Sequence, residues 1–256
     1  MNHRNDPLLS DMVDVRNAQS DAPVVVVCEH ASAHIPQAFN SLGLPASALL
    51  SHVVWDPGAM ALATKMAERL NAVLVASKTS RLVYDCNRPP EAPDAMPARS
   101  EIVDVPGNAN LSDAQRAERA ATYYAPFREA LAAVLQARTA PVLITVHSFT
   151  PVYHGQARDV EIGILHDSDA RLADAMLALT AKHTTCVTRR NDPYGPGDGV
   201  THTLKEHALP HGYLNVMLEV RNDLIADDAD QTAMAQTLSS WVSQALTQVE
   251  AETCNR

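Results

Sequence analysis

Four consecutive valines (Val24, Val25, Val26 and Val27) run directly into Cys28-Glu29-His30-Ala31-Ser32, and this junction constrains the fold more than any other feature. A β-branched run without polar alternation is the pattern of a strand buried on both faces. Its sudden end in ionisable residues marks the carboxyl end of a core strand. The pattern recurs at residues 142–146 (VLITV), which stop at His147-Ser148, and at residues 214–220, which carry Glu219 near their end. Strands of this kind belong to sheets that pack against helices, as in α/β proteins.

The intervening segments supply those helices. Residues 58–70 place Met60, Ala63, Met66, Ala67 and Leu70 on one side, with Asp56-Pro57 fitting a cap followed by proline at the first helical position. Residues 112–137 open with a Ser112/Gln115 capping box, and Pro126 is expected to kink or divide that helix. Residues 168–182, 201–208 and 228–249 also read as helical, and residues 73–76, 160–165 and 185–188 as strands. Residues 89–110 show little periodicity and read as a long loop of the kind that often serves function. Residues 191–199 (NDPYGPGDG) are dense in turn formers. The alternation predicts an α/β fold with a largely parallel sheet. Residues 1–22 are polar and read as a flexible or loosely docked N-terminal segment, with residues 23–256 forming one domain.

Composition excludes several functions. A formal net charge of −10 argues against nucleic acid, whose phosphates reward clustered lysine and arginine. No apolar run is long enough to span a bilayer. The four cysteines lack CxxC spacing, and the N-terminus lacks a signal core, so a reducing cytoplasm is expected. Cys28, preceded by an apolar strand, reads as an inert buried thiol. Ser148 lacks the GxSxG elbow of a serine hydrolase.

Ligands of open α/β sheets bind outside the carboxyl ends of the strands, so residues 28–32, 147–148 and 219–223 are candidates to converge. His30 and His147 are of the right type for a catalytic metal site with three protein ligands, and Asp56 or Glu29 could be the third. Glu219, an acid interrupting an apolar strand, suits a general base, or a structural ion pair with Arg221. Arg81, Asp85, Asn87 and Arg88 lie together in SRLVYDCNRP, where guanidinium groups suit bidentate recognition of substrate carboxylates. His202 and His207 in THTLKEH are candidates for substrate contact and proton transfer respectively, or for a polar helix face.

Taken in order, VVVVCEHASAHIP, WDPGA, SRLVYDCNRP, ITVHSFTP, EIGILHD and LEVRNDL resemble the N-formylglutamate amidohydrolase family over about residues 24–225. The resemblance implies a three-layer α/β/α sandwich akin to zinc carboxypeptidases and aspartoacylases. It implies one divalent metal, with Zn²⁺ expected, and hydrolysis of a small anionic N-acyl amino acid, N-formyl-L-glutamate giving formate and glutamate. His30 and His147 then match metal-ligand positions, Asn87-Arg88 a carboxylate grip and Glu219 the general base. The chain departs from the His-x-x-Glu spacing of carboxypeptidase-like sites, because Ala33 stands three residues after His30. Asp56 is therefore the preferred third ligand over Glu29, whose side chain should point to the opposite face from His30. A different acyl group, a small carboxypeptidase activity and a non-catalytic binding module are the alternatives.

Overall fold

The computed structural model describes residues 11–254. Its strands, in chain order, are β1 (Val13–Arg16), β2 (Val24–Cys28), β3 (Val73–Ser77), β4 (Arg99–Ser100), β5 (Val103–Asp104), β6 (Val142–Phe149), β7 (Val152–Tyr153), β8 (Gln156–Ala157), β9 (Ile162–Leu165), β10 (Thr188–Arg190) and β11 (Leu214–Arg221). The α-helices are α1 (Ala59–Arg69), α2 (Asp113–Arg119), α3 (Ala125–Gln136), α4 (Arg171–His183), α5 (His202–His207) and α6 (Asp228–Cys254). No helix among the described residues is long and apolar enough to cross a membrane.

Seven strands form one mixed sheet in the order β1-β3-β2-β6-β11-β9-β10. The central four, β3, β2, β6 and β11, run parallel, whereas β1 and β9 pair antiparallel with their neighbours and β10 runs with β9. Strand alternation sorts the core into two layers. Val24, Val26, Ile144, Val146, Val216 and Leu218 face α1, α4 and α6, whose Leu62, Met66, Leu172, Met176, Leu238 and Trp241 pack on them. Val25, Val27, Leu143 and Met217 face α3 and α5 through Phe127, Leu131, Val134 and Leu204. Each fully buried valine or leucine contributes roughly 1.5–3 kcal/mol, so the valine run can only be a central strand. A third cluster, built on Leu42, Val54, Leu82, Val83 and Val105, lies under the connecting segments.

The structure departs from the sequence reading where tertiary contacts override local pattern. Residues 1–10 of the segment expected to be flexible lie outside the described residues, but Val13–Arg16 adds to the sheet edge against β3. Asp56 does not cap α1. Gly58 does, at φ +81° and without a side-chain bond, because an added Cβ would meet the Ile225 carbonyl oxygen at 2.6 Å. The Ser112/Gln115 capping box is present, and a π-helical turn at Ala120–Tyr124 divides the helix just before Pro126. β6 continues through His147 to Phe149 because β11 runs beside it, pairing Glu219 with His147. The strand expected at residues 185–188 begins only at Thr188. The 89–110 loop carries the short β4–β5 ribbon, and Asn108 and Arg119 pin it to the carbonyls of Leu82 and Val83.

Candidate active site

Three carboxyl-end segments meet at one point. β2 ends at Cys28, so Glu29 and His30 leave the sheet, and the His30 carbonyl accepts the Asp56 amide at 3.0 Å, which draws the segment before α1 inward. The Asp56 carboxylate then turns to the histidines instead of the helix. Its Oδ2 lies 3.1 Å from His30 Nδ1 and 2.9 Å from His147 Nδ1, and the two Nδ1 atoms are 3.2 Å apart. All three side chains are buried.

That triangle fits one face of a tetrahedral metal shell. Ligands about 2.0–2.1 Å from an ion stand about 3.3 Å apart on a tetrahedron, close to the three separations observed. Each ring also presents its second nitrogen to a carboxylate, as metal-ligating histidines do. His30 Nε2 lies 2.7 Å from Asp85 Oδ1. His147 Nε2 lies 3.2 Å from Glu29 Oε2, at ion-pair distance but without hydrogen-bond geometry. Glu29 thus stands behind His147, outside the triangle, and among the described residues the group that could hold a metal ion is His30, Asp56 and His147.

The electrostatics favour a cation. Burial and Arg81 push the His30 pKa down, yet Asp85 and Asp56 outweigh them and raise it. Burial disfavours charge on His147, but Glu29 and the Asp56 bond hold its pKa well above the usual value. Burial would lift the Asp56 carboxyl, but His30, His147 and Arg81 hold it far below its ordinary range. The raised pKa values favour protons on the two rings beside the buried carboxylates, and a divalent ion would displace them.

Glu219 completes the centre. It pairs with His147 in the parallel register and with Gly163 across β9. A Cβ on Gly163 would come within 3.1 Å of the Glu219 Cβ and collide with the Asp192 carbonyl, so only glycine lets the 192 turn pass over this position. Burial pushes the Glu219 pKa up to about 7, against the pull of His147, and its Oε2 has no hydrogen-bond partner.

These groups line a cavity of about 480 Å³, within the usual range for small-molecule sites. Arg81, Asn87 and Arg88 line it too, but largely as framework. Arg81 bridges Asp56 Oδ1 at 3.3 Å and Asp85 Oδ2 at 2.9 Å. The Asn87 side chain donates to the Val200 carbonyl and accepts from the Thr203 amide and hydroxyl at 3.0 and 3.1 Å. Arg88 Nε donates to Asp94 at 2.6 Å and its Nη1 to backbone carbonyls, while Nη2 has no partner among the described residues. Of residues 89–110, Ser100 and Glu101 reach the cavity.

His202 and His207 do not line the cavity. His202 bonds the Tyr124 hydroxyl at 2.7 Å, and buried His207 has its pKa pushed down to about 4 by desolvation. The substrate-contact and proton-transfer roles expected of them therefore find no geometric support, because neither residue lines the cavity. Cys28 is buried with its thiol pKa raised, as expected of an inert thiol.

Sequence reasoning missed Arg158, Tyr194, Phe149 and Tyr153, which form the far wall. Phe149 ends β6 and Tyr153 lies in β7, whereas Arg158 and Tyr194 stand in turn-rich segments without periodicity that only the fold brings to the cavity. At the rim, Glu101 accepts from His52 Nε2 at 2.7 Å and from the His154 amide at 2.9 Å, tying two segments together.

The sequence profile described as N-formylglutamate amidohydrolase matches residues 22–226. No curated protein matches the chain significantly. A gene product of Agrobacterium tumefaciens of known structure is 54% identical, with TM-score 0.91 over 93% of this chain and 96% of that one. The N-formylglutamate amidohydrolase of Ralstonia eutropha is 16% identical, with TM-score 0.63 over 94% of this chain and 99% of that one, a likeness of fold. The matched stretch holds the histidines, the aspartates and Glu219, and with that the chain belongs to the N-formylglutamate amidohydrolase family, hydrolases acting on a linear amide bond.

Proposed function

We propose that this protein is a zinc-dependent amidohydrolase that converts N-formyl-L-glutamate to formate and L-glutamate. The observation that carries the reading is the triangle of His30 Nδ1, Asp56 Oδ2 and His147 Nδ1 beside a buried, unbonded Glu219 oxygen in one cavity. Two imidazoles and a carboxylate are a donor set that suits Zn²⁺. A divalent ion held there supplies a Lewis acid that polarises the amide carbonyl and makes a water acidic near neutral pH.

The remaining steps belong to the chain's own residues. Asp85 fixes the orientation of the His30 ring through its second nitrogen, and Glu29 places a carboxylate at ion-pair distance behind the His147 ring. Glu219 takes the proton from the attacking water and returns it to the amine nitrogen as the C–N bond breaks. Its raised pKa suits both halves of that transfer near neutral pH. Arg88, through its unpartnered Nη2, receives the α-carboxylate of the substrate. Atoms balance: water and the formyl amide yield formate and the free amine.

The test is elemental analysis of protein purified without chelator, combined with formate release from N-formyl-L-glutamate before and after metal stripping. One metal per chain, with activity lost on stripping and restored by Zn²⁺, is the expected result. Metal without formate release, but with turnover of N-acetyl or N-succinyl amino acids, would keep the mechanism and replace the acyl group. Neither metal nor turnover of any of these would overturn the proposal.

A further inference from the structure

Three arginines line the cavity, and two are neutralised within the protein. Arg81 is held between Asp56 and Asp85, and Arg88 is paired with Asp94. Arg158 has no acidic partner among the described residues, and its side chain is held by aromatic rings and neutral oxygens instead. Its guanidinium carbon lies 4.4 Å from the ring centre of Tyr153, 4.8 Å from that of Tyr194 and 5.5 Å from that of Phe149. Nη2 donates to the Tyr194 hydroxyl at 3.0 Å and Nη1 to the Thr150 carbonyl at 3.4 Å. Burial raises the Tyr194 pKa to about 12, so that hydroxyl stays neutral and the cation is uncompensated.

The position of this cation relative to the chemistry is set by β6. Phe149 lies two residues beyond His147, on the same face and about 6–7 Å along the strand. Tyr194 lies on the other side, close enough to Glu219 to feel its charge. A guanidinium packed on three rings, without an acidic partner among the described residues and lining the same cavity as the reacting centre, is placed to receive an anion that arrives with the substrate. We infer that Arg158 determines specificity by binding the side-chain carboxylate of an acidic N-acyl amino acid, while Arg88 receives the α-carboxylate. This rests on the activity proposed above.

The experiment compares N-formyl-L-glutamate with N-formyl-L-glutamine, which have the same shape and differ in charge, on the zinc-loaded protein and its Arg158→Gln and Arg158→Lys variants. For Arg158→Gln, the ratio of kcat/KM for the acid to that for the amide should fall about 10- to 100-fold, carried by KM. Arg158→Lys should recover part of that ratio. Equal losses on both substrates, with a lowered Tm, would reduce Arg158 to a structural tie between the β7–β8 ribbon and the 194 turn, and would overturn the inference. If the unaltered protein hydrolyses neither compound, the activity proposal fails on its own and calorimetric titration with glutarate decides the anchor. At least tenfold weaker binding by Arg158→Gln supports it, and unchanged binding overturns it.

Discussion

Glu219 is an acid in a strand whose buried neighbours are apolar, and its environment makes opposite demands on stability and catalysis. Burial holds its pKa at about 7 against an ordinary 4.5. Between those values the metal-free folded chain keeps a proton that the unfolded chain has released, so stability falls as pH rises through this window and the loss is complete above it. Glu219→Gln abolishes that penalty. Metal-free Glu219→Gln should therefore exceed the unaltered protein in urea stability at pH 8 by up to ~3 kcal/mol, with the two converging near pH 4.5. With metal bound, the same variant should lose at least 100-fold in turnover while retaining the ion. A stability difference independent of pH, or retained turnover, would remove Glu219 as the buried base. At this scale much of the site was legible. His30 and His147 stand at abrupt polar ends of apolar runs and Glu219 interrupts one, signals local to the chain, whereas the pattern around Asp56 reads as a helix cap and only the resemblance singles it out. Arg158 and Tyr194 were not legible, because their environment comes from folding three separate turns together.

Second partners of the rings are set by where elements end, and this separates ligands from supports. Asp85 reaches His30 from the turn after Ser80, held by its own bonds to Arg81 and the Asn87 amide. Asp85→Asn should weaken zinc binding about 10- to 100-fold, as loss of an orienting carboxylate does. Asp56→Asn should cost considerably more, because Asp56 would itself be a donor. Competition against a chromogenic zinc chelator measures both, and a larger loss for Asp85→Asn would reverse the assignment. The β9–β11 pairing gives another element-scale prediction. Gly163→Ala should destabilise the fold by about 1–3 kcal/mol through overpacking against the Asp192 backbone, and should lower activity by shifting Glu219. Unchanged urea midpoint and turnover would show that the 192 turn yields freely. The central strands and most helices were legible because periodicity and capping are local. The β1 edge strand was not: VDVR has little apolar content, and β3 recruits it by offering an unpaired edge.

Across the whole molecule, the three candidate ligands come from residues 30, 56 and 147, so a bound ion would join the end of β2, the approach to α1 and the end of β6. The unfolded chain cannot present them together, and metal binding therefore adds to folding stability. At free zinc about 1,000-fold above its dissociation constant, the gain is about 4.1 kcal/mol. For a chain of this size, that corresponds to a Tm increase on the order of 10 °C. Charge strengthens the expectation, because Asp56, Asp85 and Glu29 raise the proton affinity of His30 and His147 and favour a cation among them. As pH falls those protons compete with the metal, so the zinc-dependent part of Tm should shrink from pH 8 toward pH 5. Differential scanning calorimetry of stripped and zinc-loaded protein at both pH values, with Asp56→Asn alongside, measures the coupling. A zinc-dependent Tm shift that vanishes in Asp56→Asn and weakens in acid is expected. An equal shift in Asp56→Asn would place the ion elsewhere on the molecule and separate this buried cluster from metal chemistry.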